Sequence, residues 1–170
     1  MRPSPGGSQA LLDELKQGAI DIAFASVMGH PVGATATELG VEDLYVLGTK
    51  SLLPPRRARL GLSELSESSF VDFPSGWGVR TVIDHAFATA SLNRRVTIEV
   101  ADVSTFIELL TAGLGIALSP LSLLPSDHRL EIRRLLSPVT WRVVMALPSN
   151  RPIRAAANAL ADLVRDRAPE

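Results

Sequence analysis

Residues 96–120, VTIEVADVSTFIELLTAGLGIALSP, constrain the fold more than any other stretch of the chain. Val96 to Val100 alternate apolar and polar side chains, the period-two pattern of a strand. Asp102, Ser104 and Thr105 then supply three small polar side chains where a helix opens, and Thr105 with Glu108 has the spacing of a capping box. Phe106, Leu109 and Leu110 give that helix its apolar face. Gly113 and Gly115 stop it, and residues 116–118 begin a second strand. In a parallel α/β sheet a polar strand-to-helix loop lies at the carboxyl edge, where ligands bind. A binding loop at Asp102 to Thr105 is therefore expected.

The remaining chain continues this alternation. Leu11, Leu12 and Leu15 form a helical stripe ending at Gly18, and a buried strand over residues 20–25 carries Ser26 at its carboxyl end. A second strand falls within residues 41–49. Residues 52–59, with two prolines and three arginines, read as an exposed loop, 60–65 as a short helix and 69–73 as a strand. Pro74 to Arg80, PSGWGVR, is a turn cluster opening a helix over 81–89. Residues 120–126 read as a short helix or loop. Two more strands follow at 130–136 and 141–147, and Pro152 opens a last helix whose apolar face is Ala156, Ala159, Leu160, Leu163 and Val164. The pattern predicts an α/β fold with a mainly parallel sheet; 170 residues suffice for one domain or two small lobes.

Composition removes several functions. A formal charge of −1 leaves no electrostatic footprint for nucleic acid or an anionic membrane, so any DNA contact is expected outside these residues. The absence of cysteine excludes disulfides, thiol catalysis and thiolate metal sites. No apolar run has the length of a membrane helix, and MRPSPGGSQ has no apolar core of a secretory signal, so a cytoplasmic location is expected. His30, His85 and His128 have no ligand-type neighbour at helical spacing, and His85 beside Asp84 reads as a helix-surface pair. There is no G-x-S-x-G elbow and no Walker A sequence. Gly113-Leu114-Gly115 follows a helix and lacks the third glycine of a dinucleotide fingerprint, which leaves it a tight turn. Neither an enzyme, a cofactor nor a metal is expected.

Two loops have the chemistry of binding. In PSGWGVR, Ser75, Gly76 and Gly78 would let backbone amides approach a ligand at a helix N-terminus, with Trp77 as an apolar wall and Arg80 as a carboxylate partner. A surface turn with Trp77 packed on its own lobe is an equal reading. In the other loop one of Asp102, Ser104 and Thr105 is expected to cap its helix, leaving one or two for a ligand. Ser26 adds one small hydroxyl after a buried strand.

Taken in order, these segments resemble the effector-binding domain of LysR-type transcriptional regulators. LLDELKQGAIDIAFAS is similar to that family's leucine-rich helix, glycine and D-x-A strand; VEDLYVLGTK to the strand leaving the first lobe. LSELSESSFVDFPSGWGVRTVIDHAF carries the L-x-x-L, strand, G-x-R and D-x-x-F order, and the opening segment carries L-L-x-A-G-L-G-I-A-L-x-P. RVVMALPSNRPIRAAANALADLVRD matches the returning strand and closing helix. The resemblance covers about residues 9–167.

It implies a type 2 periplasmic-binding-protein-like fold of two α/β lobes joined by crossover strands near residues 44–49 and 143–147. Lobe I would comprise residues 1–48, lobe II 49–143, and 144–170 would return to lobe I. A small effector, often carboxylate-bearing, is implied between the lobes, with Ser26 facing it from lobe I and the Ser75 to Gly78 and Asp102 to Thr105 loops from lobe II. The implied partners are a homo-oligomer and, through a helix-turn-helix absent from these residues, DNA. The first strand, helix and strand of lobe I would also precede residue 9, so lobe I is expected to be incomplete, prone to association and a weak effector binder. A solute-binding protein of the same fold is the alternative, and it would require a signal or anchor.

Overall fold

The computed structural model describes residues 7–54, 57–126 and 128–167. In chain order the elements are α1 (Gly7–Gln17), β1 (Ala23–Ser26), β2 (Ala34–Asp43), β3 (Tyr45–Gly48), β4 (Arg59–Leu60), β5 (Ser69–Asp72), α2 (Gly78–Thr89), β6 (Arg95–Glu99), α3 (Val103–Thr111), β7 (Ala117–Ser119), β8 (Glu131–Leu135), β9 (Thr140–Pro148) and α4 (Ala155–Arg165). Single 3-10 turns lie at Leu62–Glu64 and Leu121–Leu123. The chain divides into two compact units. The first contains residues 1–41, 76–78 and 142–170; the second contains 42–75 and 79–141.

The first unit is a three-layer sandwich. Its sheet has the order β1-β9-β2, and β1 runs antiparallel to β9 with Ala23 opposite Ala146 and Ser26 opposite Val143. On one face Leu12 and Leu15 of α1 pack on Ala23, Ala25 and Ala146; these methyl side chains let the helix approach the sheet closely. On the other, Met145 and Leu147 meet Ala161, with Val164 beside them. The stop of α1 follows from Gly18, at φ +77°. There the Gly18 amide donates to the Leu15 carbonyl and the Ala19 amide to that of Glu14, the paired bonds of a Schellman cap. Asp21, buried just before β1, accepts from Arg151 and Arg154 and so ties the strand's entry to the start of α4. The Arg151 hydrogen bond leads the causes that hold its carboxyl below the ordinary aspartate value.

In the second unit a four-stranded sheet, β4-β8-β3-β7, lies beside the parallel pair β5-β6. Two backbone bonds stitch them: Ile116 N–H to Ser69 O at 2.9 Å and Val71 N–H to Ile116 O at 3.0 Å. Gly115 permits this approach, since a Cβ there would lie 2.7 Å from the Ser69 carbonyl oxygen. Helix α2 buries Val79, Val82, Ile83 and Phe87, and α3 buries Phe106 and Leu110. Phe73 stacks on Phe106 at 4.6 Å and Phe70 meets Phe87 edge-on at 5.8 Å.

Four expectations need correction. The sheets are not mainly parallel: β1 is antiparallel to β9 and β3 to both β7 and β8, while β4/β8 and β5/β6 are parallel. The antiparallel partners come from distant parts of the chain, β9 beside β1 and both β7 and β8 beside β3, so no single strand-helix-strand crossover sets their direction. Thr105 does not cap α3; Asp102 does, and Thr105 lies inside the helix. Pro152 precedes the final helix, whose N-cap is Arg154. Residues 52–59 are not uniformly exposed, because Leu53 is buried; Pro55 and Arg56 of that stretch lie outside the described residues. The lobe boundaries expected at 48/49 and 143/144 can be set beside the observed division at 41/42 and 141/142.

Candidate functional site

In the first unit the end of β1, the start of α1 and residues 76–78 converge. The Ser26 amide donates to Ser8 Oγ at 2.9 Å, while Ser26 Oγ is buried with no hydrogen-bond partner among the described residues. An unsatisfied buried hydroxyl costs free energy. Gly78 is pressed against the same spot: a Cβ there would sit 2.2 Å from Ser26 Cβ and 2.7 Å from Ser8 Oγ. Gly76 adopts φ +87°, and its carbonyl oxygen would be 2.5 Å from a Cβ on Gly7. The glycines thus serve close backbone packing as well as turning. Ser75 is exposed, and Gly76 and Trp77 are half-buried. Ser8 was missed by sequence reasoning. Its only signal was a small hydroxyl in a helix's first turn.

The second unit holds the other predicted loop. Asp102 accepts from the Thr105 amide at 2.8 Å. That backbone bond is the chief reason its carboxyl lies below the ordinary value, with the Thr105 hydroxyl and the Ser104 amide adding to it. Asp102 is thereby committed to the helix. Ser104 remains exposed and Thr105 half-buried on the first turn of α3.

Arg80 is placed differently from its expected role. Its Nε meets Asp84 at 2.8 Å and its Nη1 meets Glu99 at 2.7 Å and the Phe73 carbonyl at 3.0 Å, with Asp72 at 3.8 Å. Its carboxylate partners are internal. Arg94, whose side chain is 4% exposed, bonds Asp72 and Asp84 and lies over the Phe70 and Phe87 rings at 5.2 and 5.7 Å. Burial pushes the Asp72 carboxyl above its ordinary value, against the opposing pull of Arg94 and the Phe73 amide. This ion network joins β5, α2 and β6 and holds the base of the 73–80 turn.

Among the described residues there is no group of three or more histidine, aspartate or glutamate side chains arranged to hold a metal ion. Nor is any described helix long and apolar enough to cross a membrane.

Each of the two α/β units carries small hydroxyl side chains at a strand end or a helix start. The chain belongs to the LysR substrate-binding domain family, whose model matches residues 1–169. Among curated relatives, the HTH-type transcriptional regulator YfeR of Shigella flexneri is 27% identical over 167 residues, 94% of this chain and 52% of that one. A probable nitrogen assimilation transcriptional activator of Synechococcus elongatus is 27% identical over 89% of this chain and 51% of its own. The chain thus spans about half the length of these relatives. Among solved structures, the effector-binding domain of QuiR in complex with shikimate superposes with a TM-score of 0.79 at 19% identity, covering 96% of this chain and 78% of that one. The regulatory domain of Synechocystis CcmR in complex with 2-PG gives 0.81 at 14%, covering 96% and 81%. These likenesses establish the periplasmic-binding-protein-like fold.

Proposed function

We propose that this chain is the effector-sensing part of a cytoplasmic LysR-type regulator that acts as an oligomer and contacts DNA through a helix-turn-helix outside these residues. Its effector is a small, oxygen-rich metabolite bearing a carboxylate. The observation that carries this reading is the buried, unpartnered Ser26 Oγ beside Ser8 Oγ and the Gly76–Gly78 backbone. A hydroxyl and close-packed amides suit an oxyanion or a substrate hydroxyl, and they carry no group able to move a proton at neutral pH. Ser75, Trp77, Ser104 and Thr105 are further candidates for effector contact. Asp102 contributes as the cap that orients them, and Arg80 by anchoring the turn. That curated relatives are named as transcriptional regulators favours this reading over a transporter's solute-binding protein. Effector binding would act by preferring one of two states of the regulator.

The experiment is calorimetric titration with shikimate and a panel of hydroxylated and simple carboxylates, on the parent chain and on Ser26→Ala. A saturable ligand whose affinity falls about tenfold in Ser26→Ala, the worth of one hydrogen bond near 1.4 kcal/mol, is expected. Equal affinity in the two proteins would remove Ser26 from the site. No saturable binding by any panel member would refute the carboxylate reading.

A further inference from the structure

A second site is written across three strands of the second unit. In the parallel ladder β4/β8, Arg59 lies directly opposite Arg134, and in the antiparallel ladder β3/β8, Arg134 lies opposite Tyr45. Register partners share a face, so Tyr45, Arg134 and Arg59 form a row. Their chain neighbours Leu60 and Leu135 turn the other way and are buried, while Arg59 and Arg134 are exposed. Like charges directly opposite one another on adjacent strands destabilise a sheet unless something neutralises them. Here no carboxylate does so: among the described residues neither Arg59 nor Arg134 has an ion-pair partner, whereas neighbouring Arg57 and Arg133 are matched by Glu64 and Glu131. Asp43 borders the adjoining recess without pairing to either arginine. Arg134 instead lies over the Tyr45 ring at 5.8 Å. Beside the row lies an open surface depression of about 510 Å³, lined by Tyr45, Arg57, Ala58, Ile132, Arg133 and Arg134.

We propose that this face binds a small phosphate monoester carrying a flat ring, independently of the effector loops, with which it shares no residue. Two unmatched arginines on directly paired strand positions suit a dianion, because each planar fork can donate two parallel bonds to phosphate oxygens. The Tyr45 and Ile132 side of the depression supplies an apolar wall for the ring. The volume holds a molecule of metabolite size.

Tyr45 is the only tyrosine of the chain, so its ring resonances report this face alone. Phenyl phosphate titrated into the full chain should shift them saturably, with phenol inert and inorganic phosphate weaker. In Arg134→Gln and, independently, Arg59→Gln the affinity should fall about tenfold, the loss of one charge-assisted contact. Both substitutions relieve repulsion at exposed positions, and unchanged amide spectra would verify their folding. Unsaturable shifts, phenol acting as well as phenyl phosphate, or unaltered affinity in both variants would each overturn the proposal. So would a DNA duplex shifting the same resonances while phenyl phosphate does not, which would make the face a polymer-phosphate contact.

Discussion

Replacing Arg94 with Met should destabilise the second unit by about 3–5 kcal/mol, the cost of removing one partner from a buried ion pair. The magnitude follows from the surroundings. The side chains of Arg94 and Asp72 are both 4% exposed, so neither recovers hydration when the other is lost. Without Arg94, Asp72 keeps only the Phe73 amide at 2.7 Å and Arg80 at 3.8 Å. The methionine stem would retain part of the packing against Phe70 and Phe87 but not the cation–ring attraction. For a chain of this size the loss corresponds to a fall in Tm of about 6–20 °C. Urea denaturation followed by circular dichroism would measure it. The pH dependence has a definite sign. Asp72 is already raised above its ordinary value, and losing Arg94 raises it further. A carboxyl raised on folding favours the folded state while protonated and opposes it once ionised, so the deficit should shrink as pH falls and grow as it rises. Asp72→Asn added to Arg94→Met should recover part of the loss by removing the orphaned charge. A deficit below 1 kcal/mol, or one independent of pH, would refute the claim that this pair is desolvated and coupled.

Two further outcomes follow from other parts of the fold. Gly115→Ala should cost about 1–3 kcal/mol by forcing a methyl group to within 2.7 Å of the Ser69 carbonyl oxygen, and hydrogen exchange should show faster opening at Ile116 and Val71. Asp21, held below its ordinary value chiefly by Arg151, stabilises the first unit above the unfolded aspartate value and loses that contribution as pH falls through its folded one. Asp21→Asn should therefore be less stable than the parent at pH 7 and approach it in acid, as read by paired denaturation curves.

The elements that sequence made legible are those with a strong period and a clear stop. Helix α1 shows its leucine stripe and Gly18, and α3 shows Phe106 and Leu110 before Gly113, because in both cases apolar spacing and cap chemistry agree. Strand β2, ATATELGVED, was hidden except at its end. It has no row of large apolar side chains, and it pairs only with β9 at the edge of its sheet. The two candidate loops could be located because small polar residues and glycines gather at strand and helix ends. Their inner bookkeeping could not. Which of Asp102, Ser104 and Thr105 caps depends on where the first helical residue falls, to within two positions. Arg80 has the look of a ligand partner in PSGWGVR, but the carboxylates that occupy it arrive from β5, α2 and β6. Ser8 meets Ser26 only because α1 folds back on β1, a pairing no local pattern announces.

The strand order β1-β9-β2 sets an order of assembly during synthesis. The middle strand of the first unit's sheet is the last strand among the described residues, so β1 and β2 leave the ribosome with the place between them unfilled until residues 140–148 follow. The second unit, drawn from residues 42–75 and 79–141, is by then complete in sequence. Closing roughly 100 residues of unstructured chain would carry a large entropic penalty, but a folded insert shortens that loop to the distance between its own ends. A nascent chain arrested before residue 140 should accordingly expose the apolar faces of β1 and α1 to chaperones, and one arrested well beyond residue 148 should not.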